Sequence, residues 1–214
     1  MSMQTATLPA TLRATLRATL RATLRVTLRV TLLVTLLLGS TAMAQDAAPR
    51  VRFDTDAGLI DIELYPAKAP QTVANFLDLV DSGFYDGLIF HRVVANFVVQ
   101  TGGYDRSMQS REPPRTVPNE AANGLRNRRG TIAMARLDDP DSADSQFFIN
   151  MNDNPHLDRS PDSPGYSVFG RVVAGLETTV VSIELTETHL VNGMAGVPVT
   201  PIVIRKATRV PAGD

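Results

Sequence analysis

The chain has 214 residues, 43% of them hydrophobic and 20% charged, with no cysteine and a formal charge of −1. That composition supports a folded core, and the missing thiols exclude cysteine nucleophiles, disulfide frameworks and cysteine-rich zinc sites. Residues 1–44 hold five arginines and no acid, which leaves 16 Lys and Arg against 22 Asp and Glu in residues 45–214 and excludes nucleic-acid binding through a broad basic face.

The first element is a leader. Residues 10–29 read ATLRATLRATLRATLRVTLR, an apolar run follows from Val30 to Leu38, and Ala42-Met43-Ala44 closes the segment. A positive stretch, a short apolar core and an Ala-x-Ala site, in that order, predict a signal peptide over 1–44 with cleavage before Gln45. The apolar run is far short of the ~20 residues a membrane-spanning helix needs. An arginine every fourth residue also fits an amphipathic transit peptide, and Met3 offers a second start; the apolar core and the Ala-x-Ala end favour export. The expected location is periplasmic or otherwise exported, with no membrane attachment after cleavage. A short tail, 45–50, then leads into one domain over 51–210, and 211–214 form a C-terminal tail.

Within the domain, VRFDT (51–55) and LIDIELY (59–65) flank Asp56-Ala57-Gly58 and predict an opening hairpin. Pro66 and Pro70 punctuate the chain, and Val73, Phe76, Leu77 and Val80 at helical spacing predict a helix over 71–83, ended by Gly83. Short β-type runs follow at 88–94, 97–101, 131–135, 147–151 and 167–173, separated by loops rich in Gly, Pro, Asn and Asp. A second helix is expected over 176–185 and a last strand within 200–210. About eight strands and two helices, without a long linker or internal repeat, indicate an all-β closed architecture.

The stretch richest in chemistry is FHRVVANFVVQTGG (90–103). With it go Asn119-Glu120-Ala121, NGLRN (123–127), RGTIAMAR (129–136), DSQFFIN (144–150), NPHLD (154–158) and YSVFGRVV (166–173). In this order and spacing the segments resemble the motifs of the cyclophilin-type peptidyl-prolyl cis/trans isomerases, and the wording of NGLRN and RGTIAMAR is similar to the bacterial periplasmic branch.

The resemblance implies an eight-stranded antiparallel barrel, closed and capped by two α-helices, with Arg92 as the catalytic residue. It implies that Phe97, Phe148 and Leu157 wall a proline pocket, with Met134 and Ala135 on a neighbouring strand. Gln100 and Gln146 match side chains that hold the substrate, and Val98, Arg136 and Tyr166 complete the implied binding set. Val98 stands where methionine is frequent, Tyr166 where eukaryotic members have histidine, and His156 where many members have an aromatic ring. A tryptophan at that last place is linked in the family to cyclosporin, so weak binding of the macrocycle is expected. The implied partners are proline-containing segments of exported proteins, met by a monomer; no metal or cofactor is called for.

The residue types suit that chemistry. Delocalisation of the nitrogen lone pair gives peptide rotation a barrier of ~18–20 kcal/mol. A guanidinium donating to the prolyl nitrogen as it pyramidalises binds the twisted state better than either planar state, which lowers the barrier. Arginine stays protonated and its fork is stiff. Adjacent strand residues point to opposite faces, so Phe147 and Phe148 cannot both face one pocket; as the resemblance gives Phe148 to the pocket, Phe147 is assigned to the core. His91 reads as structural. The three histidines lack a metal-ligand spacing, and the acidic run 138–141 lacks the glycine and terminal glutamate of a calcium loop. Two rival readings are a module that holds proline segments in the same groove without turning them, and a lipocalin-type carrier, which the arginine and glutamines among the aromatics disfavour.

Overall fold

In the computed structural model, which describes residues 48–211, the opening pair is β1 (Arg50–Thr55) and β2 (Gly58–Leu64). Their register sets Val51 opposite Ile62 and Phe53 opposite Ile60, so the apolar residues of the alternating pattern share one buried face. Asp56 and Ala57 form the turn, with the Thr55 hydroxyl donating to the Gly58 carbonyl. The expected signal peptide and the 45–47 and 212–214 parts of the expected tails lie outside the described residues.

Helix α1 (Pro70–Asp81) buries Val73, Phe76, Leu77 and Val80 as the periodicity predicts, with Pro70 in its first turn, where no intrahelical N–H is needed. No local side chain caps it. The Glu120 carboxylate accepts from the backbone N–H groups of Gln71 (3.1 Å) and Thr72 (2.8 Å) instead. A negative charge at a helix N-terminus is favourable, so the Asn-Glu-Ala segment is a cap delivered from 48 residues away.

Strands β3 (Arg92–Val94), β4 (Val98–Thr101), β5 (Thr131–Met134), β6 (Phe147–Asn150), β7 (Val168–Ala174) and β10 (Ile204–Val210) complete an eight-stranded sheet. β8 (Thr188–Val191) and β9 (Met194–Pro198) form a separate hairpin. The order in the sheet is β10-β1-β2-β7-β5-β6-β4-β3, antiparallel throughout.

The fold is mostly β, as expected, but the ladder is not an unbroken ring. β3 and β10 stand at its two ends. A bridge between Ile89 and Val203, with Phe90 N–H donating to the Ile202 carbonyl, Ile204 N–H to that of Leu88 and Gly87 N–H to that of Ile204, ties the segment before β3 to the start of β10. The run 88–94 is therefore not one strand. Its first half is spent on these cross-links and only its second half joins the ladder.

The helix expected over 176–185 winds as a π turn, Leu176–Val180, before becoming α2 (Val181–Glu184). The β8–β9 hairpin was not expected. Its two-residue turn is Asn192-Gly193, both at positive φ, which only this kind of pair adopts readily.

Candidate active site

The sheet has two apolar faces. On one, Phe53, Phe76, Tyr85, Phe147 and Phe169 interlock at ring separations of 5.1–6.3 Å and form the main core. On the other, Val98, Ala133, Phe148 and Val168 make a smaller cluster against which Phe97, Leu125, Ala135, Leu157 and Tyr166 pack. The alternation of β6 sends Phe147 to the first face and Phe148 to the second, as expected.

A cleft of about 250 Å³ opens over the second cluster, lined by Arg92, Phe97, Val98, Gln100, Ala135, Arg136, Phe148, Leu157 and Tyr166. Nine of the eleven residues named from the sequence meet here. The other two do not line it. Met134 pairs across the sheet with Phe147 and lies in the main core, 2% exposed, because strand period two turns it away from the face of Ala133 and Ala135. Gln146 lines an adjoining compartment of about 370 Å³ that shares Arg92, Gln100, Ala135 and Arg136 with the cleft.

Arg92 is carried by β3 opposite Gln100 of β4, and its guanidinium carbon lies 5.9 Å from the centre of the Phe97 ring. Among the described residues this guanidinium has neither a hydrogen-bond nor an ion-pair partner, unlike the paired Arg52, Arg129 and Arg209. It is a cation held at a cleft mouth with its donors uncommitted. Two chain segments outside the sheet pin the β3–β4 turn: Glu184 of α2 accepts from the Asn96 N–H (2.7 Å), and β9 passes behind β3. At Gly196 a Cβ would come within 2.7 Å of the Val93 carbonyl oxygen, so that contact admits no side chain.

Gln100 Nε2 donates to Gln146 Oε1 at 3.1 Å. The double glycine of the Gln-x-Gly-Gly segment makes this possible. A Cβ at Gly102 would meet the Ser145 carbonyl at 2.5 Å, and one at Gly103 would meet the Gln146 side chain at 2.6 Å. The segments flanking β4 and β6 thus meet at backbone distance at Gly102, and Ser145 Oγ closes the contact by donating to the Gly102 carbonyl.

On the far side, Tyr166 stands edge-on to Phe148 (5.7 Å), and the Arg136 guanidinium lies 4.7 Å above the Tyr166 ring. Arg136 also donates to the carbonyls of Gly165 (3.2 Å) and Leu137 (2.7 Å), so its charge is committed to holding the wall. His156, noted as a departure in the sequence, stacks on the outer face of Phe97 at 5.4 Å and does not line the cleft. His91, beside Arg92, is 1% exposed; burial, above all, pushes its imidazole down to about 4, outweighing the opposite pull of Ile89 and Gln146. It stays neutral at pH 7 and lines the adjoining compartment beside Arg92 and Gln146.

Sequence reasoning missed the residues that close the second compartment, among them Tyr104, Glu112, Asp144 and Met194. They come from four separate segments, and no local pattern links them. Among the described residues no group of His, Cys, Asp and Glu is arranged to hold a metal, and no helix is long and apolar enough to cross a membrane. The cleft offers an apolar floor, neutral amide donors and one free guanidinium. These can bind and polarise an amide but supply no nucleophile of the serine or cysteine type.

The family model described as cyclophilin type peptidyl-prolyl cis-trans isomerase/CLD matches residues 50–209. Peptidyl-prolyl cis-trans isomerase A of Dickeya dadantii is 48% identical over 168 residues, covering 78% of this chain and 88% of the relative. An isomerase of Streptomyces antibioticus is 48% identical over 160 residues, covering 73% and 96%. Among solved structures, a Cryptosporidium parvum cyclophilin-type isomerase crystallised in the presence of the dipeptide Ala-Pro superposes with a TM-score of 0.63 at 27% identity, covering 76% of this chain and 99% of that one. Sequence motifs, fold and relatives agree: the chain belongs to the cyclophilin-type peptidyl-prolyl cis-trans isomerase family.

Proposed function

We propose that this member of the family rotates X-Pro bonds in proline-containing segments of exported proteins, with Arg92 as the catalytic residue. The observation that carries the reading is the uncommitted Arg92 guanidinium beside Phe97 at the mouth of an apolar cleft. The proline ring sits on Val98, Phe148 and Leu157, against Phe97. Gln100 and Gln146 donate to flanking carbonyls, and Ala135, Arg136 and Tyr166 border the chain on either side. As the X-Pro bond twists, its nitrogen loses conjugation and gains a lone pair that the guanidinium can reach. The planar states offer no such lone pair, so the interaction grows on the way to the barrier top and lowers it.

A charge-assisted hydrogen bond contributes about 1.5–3 kcal/mol, and each ~1.36 kcal/mol is tenfold in rate. Arg92→Ala is therefore expected to slow rotation of a proline tetrapeptide about 10- to 150-fold in a coupled isomerisation assay. Wild-type speed in that variant would remove Arg92 from the mechanism.

The leader pattern supports export, with Gln45 as the mature N-terminus. N-terminal sequencing of the secreted product tests this, and a start far from Gln45 counts against it. In the oxidising space outside the cytoplasm, folding limited by proline isomerisation, which takes ~10–100 s uncatalysed, is the step such an enzyme relieves. The enzyme acts as a monomer, which sedimentation of the mature chain checks. Weak inhibition by cyclosporin is expected from His156, which offers a smaller surface than tryptophan; tight binding in a titration would contradict it.

A further inference from the structure

Behind the cleft lie three asparagines almost sealed from solvent: Asn127 is 2%, Asn150 0% and Asn154 3% exposed. A buried amide is costly unless its donors and acceptor are matched, and these match one another. Asn154 Nδ2 donates to Asn150 Oδ1 (2.8 Å) and to the Phe97 carbonyl (3.1 Å). Asn150 Nδ2 donates in turn to Asn127 Oδ1 (3.2 Å) and Thr131 Oγ1 (3.0 Å). Asn127 Nδ2 then donates to the Leu157 carbonyl and to Asp158 Oδ1, both at 3.1 Å. The series starts at one wall of the cleft and ends at another.

Both walls need such support. Phe97 precedes β4 in the β3–β4 turn, and Leu157 ends a single 3₁₀ turn, Pro155–Leu157, so neither side chain stands on a strand. Backbone bonds reinforce the series: Asn154 N–H donates to the Asn127 carbonyl (2.8 Å) and Asn127 N–H to Asp158 Oδ1 (2.7 Å). Apolar residues would fill the same space without direction. Amides fix both distance and orientation, and a fully satisfied buried network is rigid.

We infer that Asn127, Asn150 and Asn154 are positioning residues that set the separation of Phe97 and Leu157, and with it the fit of the cleft to a proline ring. None of the three lines the cleft, so they act through the walls. The inference rests on the cleft being the proline site.

The test is a kcat and KM comparison on a proline tetrapeptide. Asn154→Ala removes the side-chain donor to the Phe97 carbonyl and leaves the Met151 N–H on it; Asn127→Ala removes the side-chain donor to the Leu157 carbonyl and leaves the Tyr166 N–H on it. Each is expected to raise KM about three- to tenfold, the loss of roughly one hydrogen bond's worth of positioning, while kcat stays within about twofold because Arg92 is untouched. Ile60→Val, in the main core, provides a destabilised control whose KM stays at the wild-type value. Unchanged KM in both folded asparagine variants, or a KM rise of the same size in the control, would overturn the inference.

Should either variant fail to fold, the wild-type chain carries the test by NMR. The side-chain amide resonances of all three asparagines are expected to shift as the peptide saturates the cleft, and amides that stay still would overturn the inference equally. A wild-type chain that neither binds nor turns over the peptide would instead defeat the reading of the cleft, and this inference with it.

Discussion

The two faces of one sheet are held by different forces, and the contrast separates stability from function. The face carrying Phe53, Phe76, Phe147 and Phe169 is closed by α1 and locked by ring packing. The face carrying Val98, Ala133, Phe148 and Val168 opens into the cleft, and its walls are fixed by directional bonds: the asparagine series, the Arg136–Tyr166 stack and the Gln100–Gln146 pair. Packing tolerates no space, whereas hydrogen-bonded walls can stand apart around one. A binding cleft can therefore occupy the second face without loosening the first.

Exchanging neighbouring phenylalanines on β6 is the strongest way to break this contrast. Phe147→Ala, a large-to-small change in a closed core, is expected to cost about 3–5 kcal/mol of stability in urea denaturation. Phe148→Ala is expected to cost less stability, because the site can open to solvent, yet to raise KM for a proline peptide severalfold. Equal stability losses would mean that the two faces are packed alike.

Next in size is the pH dependence set by His91. Its folded pKa of about 4 lies below the unfolded value of about 6.5, so between the two the unfolded chain binds the extra proton. Stability is full above pH 6.5 and is lost as pH falls towards 4, by about 3 kcal/mol in the limit. The lowered carboxylates Asp56, Asp61 and Asp81 act in the same direction, but below their ordinary value of 3.8. His91→Gln should flatten the denaturation midpoint between pH 6.5 and 4.5. A slope unchanged by that substitution would contradict the assignment.

The smallest effect sharpens the account of the cleft wall. Arg136→Ala removes a cation from the Tyr166 ring and a donor from the Gly165 carbonyl. A cation–π contact at a partly exposed place contributes about 0.5–1 kcal/mol, so KM should rise about two- to fivefold with little change in stability. Arg136→Lys, which lacks the flat guanidinium, should recover only part of it.

Much of this architecture was legible in the sequence. Runs of β-favouring residues between turn signals located β1, β2, β4, β5, β6 and β7, helical spacing located α1, and alternation together with the family resemblance divided Phe147 from Phe148. The same alternation places Met134 in the core, against the role the family resemblance implied for it. The β8–β9 hairpin was missed because most of its residues are solvent-exposed and its strands lack an apolar period, although Asn192-Gly193 marked the turn. The π winding of 176–180 and the incomplete closure of the ladder arise from tertiary contacts and leave no local pattern. The second compartment drew Tyr104, Glu112, Asp144 and Met194 from distant segments, so only folding brings it into view.

The central claim, that Arg92 acts on the twisted state and not on the bound peptide, is tested most directly by measuring turnover and peptide affinity together in Arg92→Ala and Arg92→Lys. The account predicts turnover down about 10- to 150-fold in Arg92→Ala, a loss that lysine does not restore, with the dissociation constant within about threefold of wild type. Turnover that falls only in step with affinity would show that the guanidinium merely holds the substrate, and would contradict the account.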